Sequence, residues 1–148
     1  KPKYFYDSSR CRSFFLACGL IFYYISAINE MRIIMDNHVK LFKALADKNR
    51  LRILKMLEVR PLCVCEIREI LDLANSTVSQ HLAILRDADF IYDIKDNKWV
   101  NYHLNKRTED DVAHALLMVL QSKSFDDEIY RQDAERVYQV DRNELCHV

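Results

Sequence analysis

From Met35 onward the apolar positions recur at helical spacing. Val39, Leu41, Phe42, Leu45 and Ala46 form one stripe, and Asp47 is placed to cap a second helix in which Leu51, Leu54 and Leu57 recur. Pro61 marks a break. Cys65 to Leu71 reads as a short helix with Ile67, Ile70 and Leu71 on its apolar face. Leu73-Ala74-Asn75 is a tight connection, and Asn75 or Ser76 can cap a further helix that runs to about Ala88 with Val78, Leu82 and Leu85 inward. Two short helices joined by so brief a turn predict a helix-turn-helix unit.

The period then changes to two. Phe90, Tyr92 and Ile94 alternate on one side, Val100, Tyr102 and Leu104 on the other, with Asp96–Asn97 as turn residues between them. This predicts a β-hairpin. Thr108 is placed to cap a helix whose stripe is Val112, Ala115, Leu116, Val119 and Leu120, and a second amphipathic stretch (Ile129, Tyr130, Ala134, Val137) follows Lys123. The expected fold is therefore mainly α with a small β-hairpin wing, a winged helix-turn-helix over residues 35–107. A helix over 108–122 and an extension over 123–148 complete the chain.

Residues 1–34 do not match this pattern. Phe14 to Ile28 is nearly unbroken apolar and aromatic sequence, preceded by Lys1, Lys3, Arg10 and Arg12. It resembles the charged and hydrophobic regions of a signal peptide, without an evident small-x-small cleavage site. A bilayer span wants about 20 apolar residues, and Asn29, Glu30 and Arg32 interrupt this one. Three readings stand: an extra packing helix, a membrane anchor, or sequence upstream of a start at Met31 or Met35.

Composition narrows the function. With one Gly and two Pro there is no glycine-rich phosphate cradle, and hydrolase motifs are absent. The net charge of zero conceals a gradient: 5 Lys/Arg against 2 Asp/Glu over residues 1–35, 13 against 10 over 36–107, and 4 against 10 over 108–148. The middle of the chain is thus mildly basic and its end acidic, which leaves a domain able to face phosphate. The five cysteines (Cys11, Cys18, Cys63, Cys65, Cys146) form no secreted disulfide framework, so a reducing cytoplasm is expected. A thiol redox enzyme would want Cys-x-x-Cys at a strand-to-helix turn, and the chain has neither feature.

Ser76, Thr77, Ser79, Gln80 and His81 open the second helix of the predicted unit with short polar side chains. Such residues at the N-terminal end of a helix in the major groove reach base edges and phosphates. Arg86 further along, and Lys95 and Lys98 flanking the wing turn, complete the candidate DNA contacts. Singly, each is as readily a solvated residue; Ser76 alone reads better as a cap, and His81 reads equally as a DNA contact or a bridge to neighbouring backbone. The order of elements gives the set its weight.

Four blocks occur in order: Leu41-Phe42-Lys43-Ala44-Leu45-Ala46-Asp47 with Arg50-Leu51-Arg52-Ile53-Leu54; Leu62-Cys63-Val64-Cys65-Glu66-Ile67; Ser76-Thr77-Val78-Ser79-Gln80-His81-Leu82 with Leu85-Arg86; and Trp99-Val100-Asn101-Tyr102. Over about residues 36–107 the chain resembles the ArsR/SmtB family of metal-responsive repressors. The resemblance implies a homodimer joined through its first and last helices, bound to double-stranded operator DNA without a cofactor and released by an ion or metalloid. Val112, Leu116, Val119 and Leu120 lie where the family's dimer helix belongs, although as sequence they fit a core equally well.

Cys63 and Cys65 match the family's thiolate motif and are the expected inducer ligands. On a regular helix, positions two apart point about 200° away from each other, so both sulfurs reach one ion only if Cys63 precedes the helix or the first turn distorts. A helix N-terminus also favours thiolate. The alternative is a pair of small buried residues without a ligand role. Thiolate softness suits As(III) or Sb(III) first and Cd(II) or Pb(II) second. Arsenic-sensing members often carry a third Cys where this chain has Arg68, so the site is either two-coordinate or completed elsewhere, with Cys11, Cys18 and Cys146 as candidates. Asp110, Asp111 and His114 depart from the spacing of the family's zinc site, and His114 is read as a surface residue. A repressor sensing oxidants or persulfide through the same two cysteines is a further alternative. Asp89 stands where the family usually places Gly, and the wing turn has no Gly either.

Overall fold

The computed structural model describes the backbone of residues 8–122 and 127–145 and the side chains of 25–122 and 127–145. In chain order the elements are α1 (Ser8–Leu45), α2 (Lys48–Val59), β1 (Leu62–Cys63), α3 (Val64–Leu71), α4 (Asn75–Asp87), β2 (Ile91–Asp96), β3 (Trp99–Leu104), α5 (Asp111–Gln121), α6 (Glu128–Gln139) and α7 (Arg142–Leu145). They fall into two compact units, Lys1–Val39 and Lys40–Val148.

Helix α1 runs through Met35, where the hydrophobic pattern changes, without a break and ends at Leu45. The reason is that amphipathicity changes there while helix propensity does not: no Gly or Pro lies between Leu20 and Leu45. Among the described residues no helix is long and apolar enough to cross a membrane.

The second unit is a mainly helical winged fold around one core. Ile53, Leu54, Met56 and Leu57 of α2, Ile67 and Ile70 of α3, and Val78, Leu82 and Leu85 of α4 are buried together with Phe90, Ile91 and Leu104. Asp47 caps α2 as expected, accepting from the backbone N–H groups of Asn49 and Arg50 at 3.0 Å each. Helix α4 ends in a Schellman motif: Phe90 N–H donates to Leu85 O and Asp89 N–H to Arg86 O. Asp89 takes the left-handed conformation at φ 57°. Its carboxylate accepts from Thr108 Oγ1 at 2.6 Å, and its carbonyl from Asn105 Nδ2 at 3.1 Å, so local hydrogen bonds offset what glycine would have given freely.

Four local expectations are corrected. Ala74, not Asn75 or Ser76, occupies the N-cap of α4 and contributes no side-chain bond, which places Asn75 and Ser76 in the first turn. Asp110, rather than Thr108, caps α5 by accepting from Val112 N and Ala113 N at 2.9 Å each. The wing turns at Asn97–Lys98, because Asp96 still pairs with Trp99, and Asn97 supplies the left-handed φ of 54°. A third strand, β1, extends the hairpin into a sheet of order β1-β3-β2 by pairing Leu62 with Tyr102 and Cys63 with Asn101. Tyr92 and Ile94 are exposed, so the hairpin's inward row ends at Phe90 and Ile91 and the wing projects from the core.

The acidic end of the chain belongs to the same unit. Val137 and Asp133 of α6 are buried against α2, and Arg52 holds Asp133 through two hydrogen bonds.

Candidate nucleic-acid interface and thiol site

Helix α4 presents a row of short polar groups because its apolar positions, Val78, Leu82 and Leu85, are committed to the core. Ser76, Ser79 and Gln80 are exposed and Thr77 is half-buried. His81 departs from this row: its side chain is largely buried, and Nδ1 lies 3.8 Å from Asp47 Oδ1 with no hydrogen-bond partner among the described residues. It faces the carboxylate that caps α2 rather than neighbouring backbone, and is turned away from the exposed row. Arg86 is exposed and its Nη1 donates to Asp93 Oδ1 of β2 at 3.0 Å, which ties the end of α4 to the wing.

At the wing, Lys95 and Lys98 are exposed on either side of Asn97. Lys98 Nζ sits 4.9 Å from the Trp99 ring centroid, a cation–π contact that holds the ammonium at the tip. On the neighbouring surface Tyr92 stacks on its cross-strand partner His103 with centroids 5.1 Å apart. The helix row and the wing lysines thus lie on two elements joined by the Arg86–Asp93 bridge.

The thiol site lies at the start of α3. Cys63 is the N-cap, extended at φ −88° and ψ 169°, because its backbone still belongs to strand β1. Cys65 sits in the first helical turn. The strand residue is what takes the pair out of a regular helical array, and a two-residue strand leaves no periodic trace in a sequence. Cys65 is disulfide-bonded and Cys63 is a free thiol, so the two are not joined to each other.

Cys63 is 3 % exposed. Burial pushes its thiol above the usual 9.0, and the Glu66 carboxylate adds to the rise. The N–H groups of Glu66 and Cys65 at the helix N-terminus pull the thiol the other way, but burial outweighs them. Glu66 is itself buried and uses both oxygens: Oε2 accepts from Cys63 N–H at 2.8 Å and Oε1 from Arg60 Nη1 at 2.9 Å.

Among the described residues no group of three or more His, Cys, Asp or Glu side chains is arranged to hold a metal ion. Cys11, Cys18 and Cys146, the candidates for a third ligand, have side chains outside the described residues. Asp110 is engaged as a helix cap and His114 is exposed. On α5 the buried face is Ala113, Leu117 and Leu120. Of the four residues expected at a dimer interface, Leu120 is therefore committed to its own core, Val112 and Leu116 are half-buried, and Val119 is exposed beside Met118.

The profile of the family described as "Bacterial regulatory protein, arsR family" matches residues 47–93. The arsenical resistance operon repressor of Escherichia coli K12 is 36% identical over 106 residues, covering 71% of this chain and 82% of the relative. The chain belongs to the arsR family. An arsenical resistance operon repressor of Bacillus subtilis 168 is 45% identical over 65 residues, which span 43% of this chain and 62% of that protein. Among solved structures, reduced HlyU from Vibrio cholerae N16961 superposes with a TM-score of 0.50 at 35% identity, covering 62% of this chain and 92% of that one. As an arsR-family protein the chain is a DNA-binding transcriptional regulator and not an enzyme. The family match begins at the cap of α2 and ends inside β2, so it contains the whole helix-turn-helix and the start of the wing.

Proposed function

We propose that this protein is a homodimeric repressor that leaves operator DNA when arsenite or antimonite binds the thiolates of Cys63 and Cys65. The observation that carries the reading is the placement of Cys63 on the last residue before α3 and Cys65 within its first turn. Two sulfurs so placed bracket the start of the helix that supports α4. Joining both to one atom repositions α3, and a ligand with a preference for that arrangement shifts the regulator away from DNA. In the reaction each thiol proton leaves with one hydroxide of As(OH)3 as an S–As bond forms, releasing two waters for two bonds. Cys65 must first be reduced. The Escherichia coli and Bacillus subtilis relatives are both named as arsenical resistance operon repressors.

In the same reading, residues 35–107 bind DNA through Ser76, Thr77, Ser79 and Gln80 with Lys95 and Lys98 of the wing, Arg86 serving both Asp93 and phosphate. Residues 108–122 contribute Val112, Leu116 and Val119 to the dimer, and residues 123–148 form an acidic extension. The site of action is the cytoplasm. Cd(II) or Pb(II) is the second choice of inducer; a Staphylococcus aureus relative, 36% identical over 67 residues, is named as a homologue of a cadmium resistance regulator. The disulfide at Cys65 favours one other reading, control by thiol oxidation.

Fluorescence anisotropy on DNA upstream of the protein's own gene tests these readings. Arsenite, Cd(II), Zn(II) and peroxide are titrated against the reduced chain and its Cys63→Ser/Cys65→Ser variant. Release by arsenite from the parent alone supports the main reading, and release only by peroxide replaces it with redox control. Binding indifferent to all four removes the sensor assignment.

A further inference from the structure

We propose that α6 is a clamp on α3, gripping the first helix of the reading unit at both ends and opposing the opening that a thiol ligand requires. The inference rests on the thiol reading above and assigns a role to the C-terminal extension within it. At the N-terminal end of α3, Arg60 is the link. One of its nitrogens holds Glu66, whose other oxygen holds the Cys63 N–H, while Nε and Nη2 donate to Val137 O at 3.2 and 2.8 Å and Nη2 also reaches Val140 O at 2.9 Å. At the C-terminal end, Arg136 of α6 donates to Ile70 O at 2.6 Å and Glu69 O at 2.7 Å, carbonyls that the end of a helix leaves without intrahelical donors. Beyond α6, Arg142 donates to Asn101 Oδ1 at 3.1 Å and to Asp96 Oδ2 at 3.4 Å, so the same extension also holds the wing.

The consequence follows from burial. With Cys63 3 % exposed, no ligand reaches its sulfur unless the first turn of α3 moves. That movement displaces Glu66 from Arg60, and Arg60 is what fastens the end of α6 to this turn. The clamp therefore favours the closed arrangement. Linkage then requires two matched effects: loosening the clamp tightens inducer binding, and inducer binding loosens the clamp. Because α3 and the wing share the clamp, loosening it also weakens the hold on DNA before any inducer is present.

The test uses the full chain, reduced with a phosphine because a dithiol reductant competes for arsenite. Arg136→Gln and Arg60→Gln are compared with the parent, the first serving as the milder variant on an exposed side chain. Operator affinity without inducer is expected to fall about fivefold or more, and arsenite affinity to rise by a similar factor, within the usual range of coupling between sites. Amide exchange over residues 132–139 is expected to quicken when arsenite binds the parent. Unchanged operator affinity in Arg136→Gln and unchanged exchange in the arsenite-bound parent would overturn the clamp. If arsenite binds neither parent nor variants, the thiol reading fails instead, and the clamp stands or falls on operator affinity alone.

Discussion

Arg52 and Asp133, 81 positions apart, meet as a two-point ion pair: Nε donates to Oδ2 at 2.7 Å and Nη2 to Oδ1 at 2.8 Å. Asp133 is 2 % exposed, whereas the other charged residues of its helix, Glu128, Arg131, Glu135 and Arg136, are exposed. A carboxylate so deeply buried is tolerated because the planar guanidinium occupies both its oxygens. The pair is what fixes the rotation of α6 on α2 and so brings Arg136 and Val137 to their partners.

Removing the carboxylate strands a largely buried guanidinium. Asp133→Ala should cost about 3 kcal/mol, the usual scale for breaking such a pair. The double variant Asp133→Ala/Arg52→Leu should lose less than the two single losses added together. Urea unfolding of the four proteins measures both quantities. A loss below about 0.5 kcal/mol, the range of ordinary surface changes, would mean that α6 is not docked in solution.

This pair also marks where sequence reading stops. The stretch Ile129, Tyr130, Ala134, Val137 reads as amphipathic, and α6 is there; yet Ile129 is exposed, and the residue that anchors the helix is an aspartate. Hydropathy counts Asp133 as solvent-facing, since nothing local announces an arginine on another helix. The helix-turn-helix was legible because Ile67, Ile70 and Leu71 of α3 and Val78, Leu82 and Leu85 of α4 recur at helical spacing on the buried faces, Glu66 being the one charged residue among them. Strand β1 was not, because two residues carry no period. On α5 the stripe was offset: Ala113 and Leu117 lie on the buried face with Leu120, while Ala115 is exposed, a rotation that two overlapping apolar faces on one short helix make invisible in the sequence. At the thiol site the two cysteines were found by spacing, whereas the burial of Cys63 and the chain through Glu66 to Arg60 depend on residues brought together by packing.

The cap of α2 has a pH signature. Burial alone would raise the Asp47 carboxyl, but the Arg50 N–H, the Arg50 guanidinium, His81 and the Asn49 N–H together hold it below its usual 3.8. A folded value lower than the unfolded one means that the charge contributes stability above the unfolded value. That contribution is lost as the pH falls through the folded value. Asp47→Ala should therefore cost about 1 kcal/mol at neutral pH, the usual scale for a lost N-cap, and less once the pH passes below 3.8. An Asp47→Asn variant, which caps without charge, should keep a constant margin over Asp47→Ala through the same range. Urea midpoints at a series of pH values test this, and an Asp47 margin that grows on acidification would contradict it.

Two classes of DNA contact should separate by salt and sequence. Gln80 is exposed near the start of α4, and on the proposed reading it meets base edges, so Gln80→Ala should cost about 1–3 kcal/mol on the operator and far less on unrelated DNA. Lys95 on the wing should act through phosphate. Lys95→Ala should weaken binding to both DNAs alike and reduce the magnitude of the slope of log K against log salt by about one. Anisotropy titrations at several salt concentrations measure all of this. Equal losses on both DNAs for Gln80→Ala would place that side chain off the bases.

Helix α5 offers a sharp contrast between two adjacent residues. Val119 is 53 % exposed beside Met118 at 58 %, whereas Leu120 is 4 % exposed within the core. If this exposed edge forms the dimer contact, a charge at Val119 acts on association and a charge at Leu120 acts on folding. Val119→Glu should keep the helical signal of the parent and its urea midpoint at low protein concentration, yet sediment as a monomer and bind the operator weakly. Leu120→Glu buries an unpaired carboxylate against Ala113 and Leu117 and should be too unstable to hold the fold. Sedimentation and unfolding of the two variants side by side separate the roles. A Val119→Glu protein that remains fully dimeric would move the interface away from this face of α5.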